Sequence, residues 1–145
     1  MATQSASAQV RINNSPQAVI EYIANVENRP LYLPSLKSVS NIEGESVGST
    51  WTWSWSLLGI DFEGTATCTQ HEAGQCYAFS TQGGIEGTFT YRAEADGEGT
   101  QLTMQVNFEL PESVLSNAGV DSWLSSSKQQ EADATLENLK TILDQ

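Results

Sequence analysis

The sequence predicts an α+β fold, a curved antiparallel sheet of about seven strands covered by one long C-terminal helix, with a short helix pair near the N-terminus. Three observations carry this. Residues 121–145 contain no proline or glycine and are rich in Ala, Leu, Glu, Gln and Lys. That composition suits one helix of about seven turns, roughly 37 Å long. Residues 36–110 keep a period-two alternation of apolar and polar side chains, and clusters of Gly, Asp and Gln interrupt it at turn-like intervals. A sheet that is apolar on one face only must be covered, and only the last helix is long enough to cover it.

The elements follow in chain order. Residues 8–13 alternate, with Val10 and Ile12 on one side and Gln9, Arg11 and Asn13 on the other, which is a half-buried strand. Ser15 before Pro16 is a helix start, and Val19, Tyr22, Ile23 and Val26 supply the apolar stripe. That helix is expected to end before Pro30, since a residue preceding proline avoids the α region. Residues 29–36, RPLYLPSL, form a short helical turn or kinked loop with an apolar side around Tyr32, expected to lie over a core or at the lip of a pocket, where opening as a gate is a hypothesis.

In the alternating region, Trp51, Trp53 and Trp55 share one phase, and the apolar phase resumes on Ile60, Phe62, Gly64, Ala66 and Cys68. With Leu58-Gly59 as a two-residue hairpin loop, Trp55 faces Phe62, Trp53 faces Gly64 and Trp51 faces Ala66, so that large mostly opposes small. Turns at residues 72–75, 82–84 and 96–99 separate the strands that carry Tyr77 and Phe79, then Phe89 and Tyr91, then Met104, Val106 and Phe108. On the final helix Ala132, Leu136, Leu139 and Leu143 share a face, widened by Thr135 and Ile142. Trp123 falls roughly opposite Ala132, so the helix is expected to start or bend after it.

Composition excludes several function classes. With 6 Lys and Arg against 18 Asp and Glu, the net charge of -12 repels phosphate backbones and anionic bilayers, so no nucleic acid and no membrane insertion are expected. The first nine residues contain no apolar run, so no signal peptide is expected, and a cytoplasmic protein is the default. All 145 residues are read as one domain, 1–145. Two cysteines without a CxxC motif or histidine cluster suggest neither a disulfide framework nor a metal site, and no cofactor-binding motif is present.

The order strand, helix pair, meander and long helix resembles the helix-grip fold of the SRPBCC/START-like superfamily, in its polyketide cyclase/dehydrase and lipid-transport type. The words that carry the resemblance are Ser15-Pro16, Val26-Glu27-Asn28-x-Pro30, Gly48-Ser49-Thr50-Trp51, Phe62-Glu63-Gly64-Thr65-Ala66, Gly87-Thr88-Phe89-Thr90-Tyr91 and Ala134-Thr135-Leu136-Glu137-Asn138-Leu139-Lys140. One departure is Arg29, at a position where many members place tryptophan before the proline of the turn. The resemblance implies a deep cavity between sheet and helix for a hydrophobic small molecule such as a lipid, quinone, isoprenoid or polyketide.

The residues predict the walls of that cavity. Tyr32, Trp51, Trp53, Trp55, Phe62, Tyr77, Phe79, Phe89, Tyr91, Met104 and Phe108 face inward, with Ala132 and Leu136 on the helix. Small residues among aromatics leave space, for which roughly 300 to 1,000 Å³ is usual in a ligand site; the alternative is a packed core in which the tryptophans fill that space themselves. Ser125, Lys128 and Gln129 continue the inner helix face; they either hold the polar head of a ligand or overhang the sheet in water. Asp61, Glu63, Glu86, Glu94 and Glu109 alternate outward, and His71 is read as a surface residue opposite Cys76. Non-enzymatic binding is therefore the first expectation. The alternatives are a cyclase or dehydratase using Tyr77, Tyr91 or Lys128 as acid or orienting donor, and a chaperone-activator-like interaction module using the acidic convex face.

Overall fold

The structure is a computed structural model that describes residues 4–44, 47–57, 60–83, 85–109 and 128–144. Strand β1 (Gln4–Ile12) leads into helix α1 (Pro16–Ala24), a 3₁₀ turn (Val26–Asn28) and helix α2 (Arg29–Tyr32). The meander then runs β2 (Leu36–Glu43), β3 (Thr50–Leu57), β4 (Ile60–Glu72), β5 (Cys76–Gly83), β6 (Glu86–Asp96) and β7 (Gly99–Glu109). Helix α3 (Lys128–Leu143) ends the described chain. The strands form one antiparallel sheet in the order β1-β7-β6-β5-β4-β3-β2. This is the helix-grip architecture expected, with β1 starting four residues earlier than its alternation suggested.

Local chemistry accounts for the elements. Ser15 is extended (φ -71°, ψ 152°), and its hydroxyl accepts the Ala18 N–H at 3.2 Å, capping α1. Val19, Ile20 and Ile23 form its buried face. In the β3–β4 hairpin Trp55 pairs with Phe62, Trp53 with Gly64 and Trp51 with Ala66, as the two-residue loop required. Gly64 is needed there. A Cβ on it would lie 2.5 Å from Trp53 Cζ2 and would also collide with the Gln82 carbonyl oxygen. The Trp53 indole Nε1 donates to the Thr65 carbonyl at 2.8 Å, so the ring is fixed over the glycine. On α3 the buried residues are Ala132, Thr135, Leu136, Leu139 and Leu143.

Several expectations are corrected or fall outside this description. Helix α1 ends at Ala24, where Asn25 turns extended (φ -79°, ψ 105°) and its side chain accepts the Glu27 N–H at 3.2 Å, so Pro30 does not end it. Arg29 is itself α-helical (φ -56°, ψ -44°) although it precedes Pro30; proline is tolerated in a first turn, where its missing N–H would have no partner anyway. Ile142 is 38% exposed, because Leu143 fills the core at the last turn. The loop Leu58-Gly59, the connection 111–119 and residues 121–127, with Trp123 and Ser125, lie outside the described residues.

The last correction concerns β4. Cys68 pairs with Phe79 as expected, but a bulge follows, and Gln70, His71 and Glu72 then pair with Ala78, Tyr77 and Cys76. The extra residue inverts the side-chain phase. His71 therefore turns toward the inner face, its ring edge-on to Tyr77 at 5.4 Å, and is not the surface residue opposite Cys76. Cys68 and Cys76 are both free and buried.

Candidate functional site

Between the sheet, α2 and α3 lies a cavity of about 90 Å³. Trp51, Trp53 and Trp55 enter from β3, Phe79 from β5, Phe89 from β6, and Met104, Val106 and Phe108 from β7. Leu33 and Leu36 close the side between α2 and β2, and Ala132 and Thr135 form the roof on α3. The volume is smaller than the range usual for ligand sites, yet holds several water-sized spheres at roughly 10–15 Å³ each. Ring packing explains the shortfall. Phe79 stacks on Phe89 at 4.8 Å and 7°, Trp51 meets Phe79 edge-on at 5.4 Å, and Trp55 leans on Phe89 at 6.5 Å.

Of the predicted site residues, Trp51, Trp53, Trp55, Phe79, Phe89, Met104, Phe108, Lys128 and Ala132 line this space. Tyr32, Phe62, Tyr77, Tyr91 and Leu136 do not; each is sealed in the packed interior around it. Gln129 is exposed, its amide donating to the Ser7 carbonyl at 2.6 Å and to Asp133 at 3.1 Å. That is the wet outcome of the two readings for this residue, while Lys128 reaches the cavity and donates to Gln4 Oε1 at 3.0 Å.

The sequence reading missed two charged lining residues. Arg29, placed at the lip, is only 1% exposed. Its guanidinium lies 4.2 Å from the Phe79 ring centre, 4.6 Å from Trp51 and 4.9 Å from Tyr77, a cage of aromatic faces. Nη2 donates to the Ile23 carbonyl at 3.2 Å, whereas Nε and Nη1 have no hydrogen-bond partner. The Tyr77 and Tyr91 hydroxyls are also buried without a partner. Burial works against the Arg29 charge; Tyr32, Tyr77 and Tyr91 carry its pKa above the ordinary arginine value through their ionised forms, a compensation absent at neutral pH, where these phenols keep their protons. Burial also pushes Tyr77 up to about 12 and Tyr91 well above the usual tyrosine value, so both remain neutral hydroxyl donors at physiological pH.

Glu131, one turn into α3, is the second missed residue. It lines the cavity and accepts a hydrogen bond from the Ser35 hydroxyl. Desolvation raises its pKa, and the Ser35 bonds only partly offset that. Among the described residues no group of three or more His, Cys, Asp or Glu can hold a metal ion, and no helix is long and apolar enough to cross a membrane.

Comparison with known proteins fits this geometry. Residues 3–144 match the family described as polyketide cyclase / dehydrase and lipid transport. The chain belongs to that family, within the START-like SRPBCC superfamily. Among solved structures, TTHA0849 from Thermus thermophilus superposes with a TM-score of 0.78 at 16% identity, covering 96% of both chains. A START superfamily protein from Mycobacterium smegmatis gives 0.71 at 10% identity, again over 96% of both. The Zhui aromatase/cyclase from Streptomyces sp. R1128 gives 0.63 at 19% identity over 95% of this chain and 84% of that one. At these identities the likeness is one of fold. No curated protein matches the chain in sequence.

Proposed function

We propose that the protein binds an apolar or amphipathic small molecule in the cavity between the sheet and α3. The observation that carries this is an almost wholly apolar, aromatic-walled space kept open under α3 in a family whose description names lipid transport and polyketide cyclisation. Interiors are ordinarily packed without such voids, so the space gains its meaning from what can enter it. Burial of apolar ligand surface drives binding. Ala132, the smallest roof residue, gives the test. 1-Octanol is titrated into wild-type protein and into an Ala132→Phe variant by calorimetry, with tryptophan emission followed in parallel. The expected result is saturable binding that the variant loses while keeping its circular dichroism spectrum; binding unchanged in the variant overturns the reading.

One observation favours a second reading, an acid-assisted cyclase or dehydratase. Glu131 is a carboxyl group with a raised pKa in the same cavity as a guanidinium, which is the pairing that proton transfer to a bound carbonyl or hydroxyl oxygen needs. Tyr77 and Tyr91, the donors first considered for that role, stand behind Arg29 in this arrangement. Loss of turnover on β-polyketone substrates in Glu131→Gln, with binding retained, supports this reading; a wild-type protein with no turnover removes it.

A further inference from the structure

Arg29 is a buried cation whose charge no described residue neutralises. The three ion pairs among the described residues, Arg11–Asp96, Lys37–Asp61 and Lys140–Asp144, all lie elsewhere. One of its five N–H donors meets a backbone carbonyl, but the Nε–H and both Nη1–H groups make no hydrogen bond of good geometry, although the Tyr32 and Tyr77 hydroxyls stand close to the guanidinium. The rings of Trp51, Tyr77 and Phe79 cover the guanidinium faces, so its donors are presented edgewise, and the residue borders the cavity. A desolvated ion left in this condition is costly unless another group completes it. Thr81, on the same cavity wall, also carries a buried hydroxyl without a partner.

We propose that Arg29 is the receptor for an anionic end group of the ligand, a carboxylate, whose apolar remainder lies along Trp51, Phe89 and Met104 toward α3. This rests on the cavity reading above and specifies the ligand as a carboxylate-headed amphiphile. A carboxylate matches the site in charge and in the number of idle donors, and guanidinium forks hold its two oxygens well. A phosphate carries up to two charges and three oxygens, more than one guanidinium between apolar walls can satisfy. The overall charge of -12 repels an anion at long range, so its capture depends on the cations of the cavity wall, Arg29 and Lys128, of which Arg29 is the buried one with idle donors while Lys128 already donates to Gln4 Oε1. Salt screens the long-range repulsion but hardly touches a buried pair, so affinity for the carboxylate does not fall as salt rises.

The test compares octanoate with 1-octanol at neutral pH, by calorimetry on the full chain, for wild type, Arg29→Met and Lys128→Met. Wild type is expected to prefer octanoate by roughly ten- to a hundredfold, as charge-assisted hydrogen bonds imply. In Arg29→Met octanoate loses its advantage over 1-octanol, whereas in Lys128→Met, at the other cation of the cavity wall, the advantage remains. Equal affinities in wild type overturn the anion receptor and leave the cavity reading standing, whereas binding of neither ligand overturns both. A preference that survives in Arg29→Met and vanishes in Lys128→Met overturns the assignment to Arg29. The wild-type comparison and its salt dependence need no variant, so they decide the matter even if Arg29→Met does not fold.

Discussion

Two polar clusters of the molecule are built on opposite rules. At one end α3 is clasped to the start of the chain. The Asn13 N–H donates to Asp144 at 2.8 Å, Asn14 Nδ2 to the Leu143 carbonyl at 3.0 Å, and Lys140 to the Arg11 carbonyl at 2.9 Å. Thr100 closes the set by donating to the Asn14 carbonyl at 2.8 Å. Inside, beside the cavity, Arg29 keeps three donors idle among aromatic faces. Polar groups that hold a fold together find partners within it. Polar groups that await a partner from outside are left incomplete, and the protein carries the cost until the partner arrives.

That contrast is open to attack by substitution. The largest expected loss belongs to the helix that the clasp secures: Leu139→Ala, at a fully buried site on α3, should cost about 3 kcal/mol in urea unfolding through the cavity it leaves. Asn14→Ala should cost about 1–2 kcal/mol in the same measurement, because it strands the Leu143 carbonyl. Arg29→Met should behave in the reverse sense, leaving unliganded stability unchanged or raising it by about 1–2 kcal/mol as the desolvation of the charge is relieved. A loss comparable to Leu139→Ala would make Arg29 a structural residue and erase the contrast.

The smallest effects are in pH dependence, and they run in opposite directions. Asp144 has a pKa lowered by the Asn13 N–H and by Lys140, so its contribution is present above the ordinary aspartate range and is lost as pH falls through the lowered value. Asp144→Asn should flatten the acid side of a melting-temperature profile. Glu131 has a pKa raised by desolvation, so the native state binds its proton more tightly than the unfolded chain does, and stability falls as pH rises from the ordinary glutamate value through the raised one. Glu131→Gln, whose amide oxygen can still accept from Ser35, should therefore melt higher at neutral pH and match wild type in acid.

The fold was legible because its signals are local. Alternation fixed the strands, glycine-bearing turns fixed their ends, and one two-residue loop fixed the pairing of three tryptophans with Phe62, Gly64 and Ala66. What escaped was of two kinds. The bulge after Cys68 leaves no compositional mark, yet one extra residue sends His71 inward. Arg29 and Glu131 were read by their charge, which normally belongs in water, so their places in the interior were missed. For Arg29 a signal existed, since the resemblance puts tryptophan at that position, and tryptophan is on average far more buried than arginine. The polar side chains of the cavity are thus the least readable part of the molecule, because they break the pattern that made the rest readable.

The pairing of β1 with β7 also governs how the molecule comes into being. Gln4 finds Phe108 and Ile12 finds Thr100, so β1 must wait for β7, which follows it by the whole meander, before it can join the sheet. The meander from β2 to β7 can assemble hairpin by hairpin as it leaves the ribosome, but its final edge and the docking of α3 on β1 require sequence-distant contacts, which form slowly. The interior is consequently sealed last, by the two ends of the chain meeting.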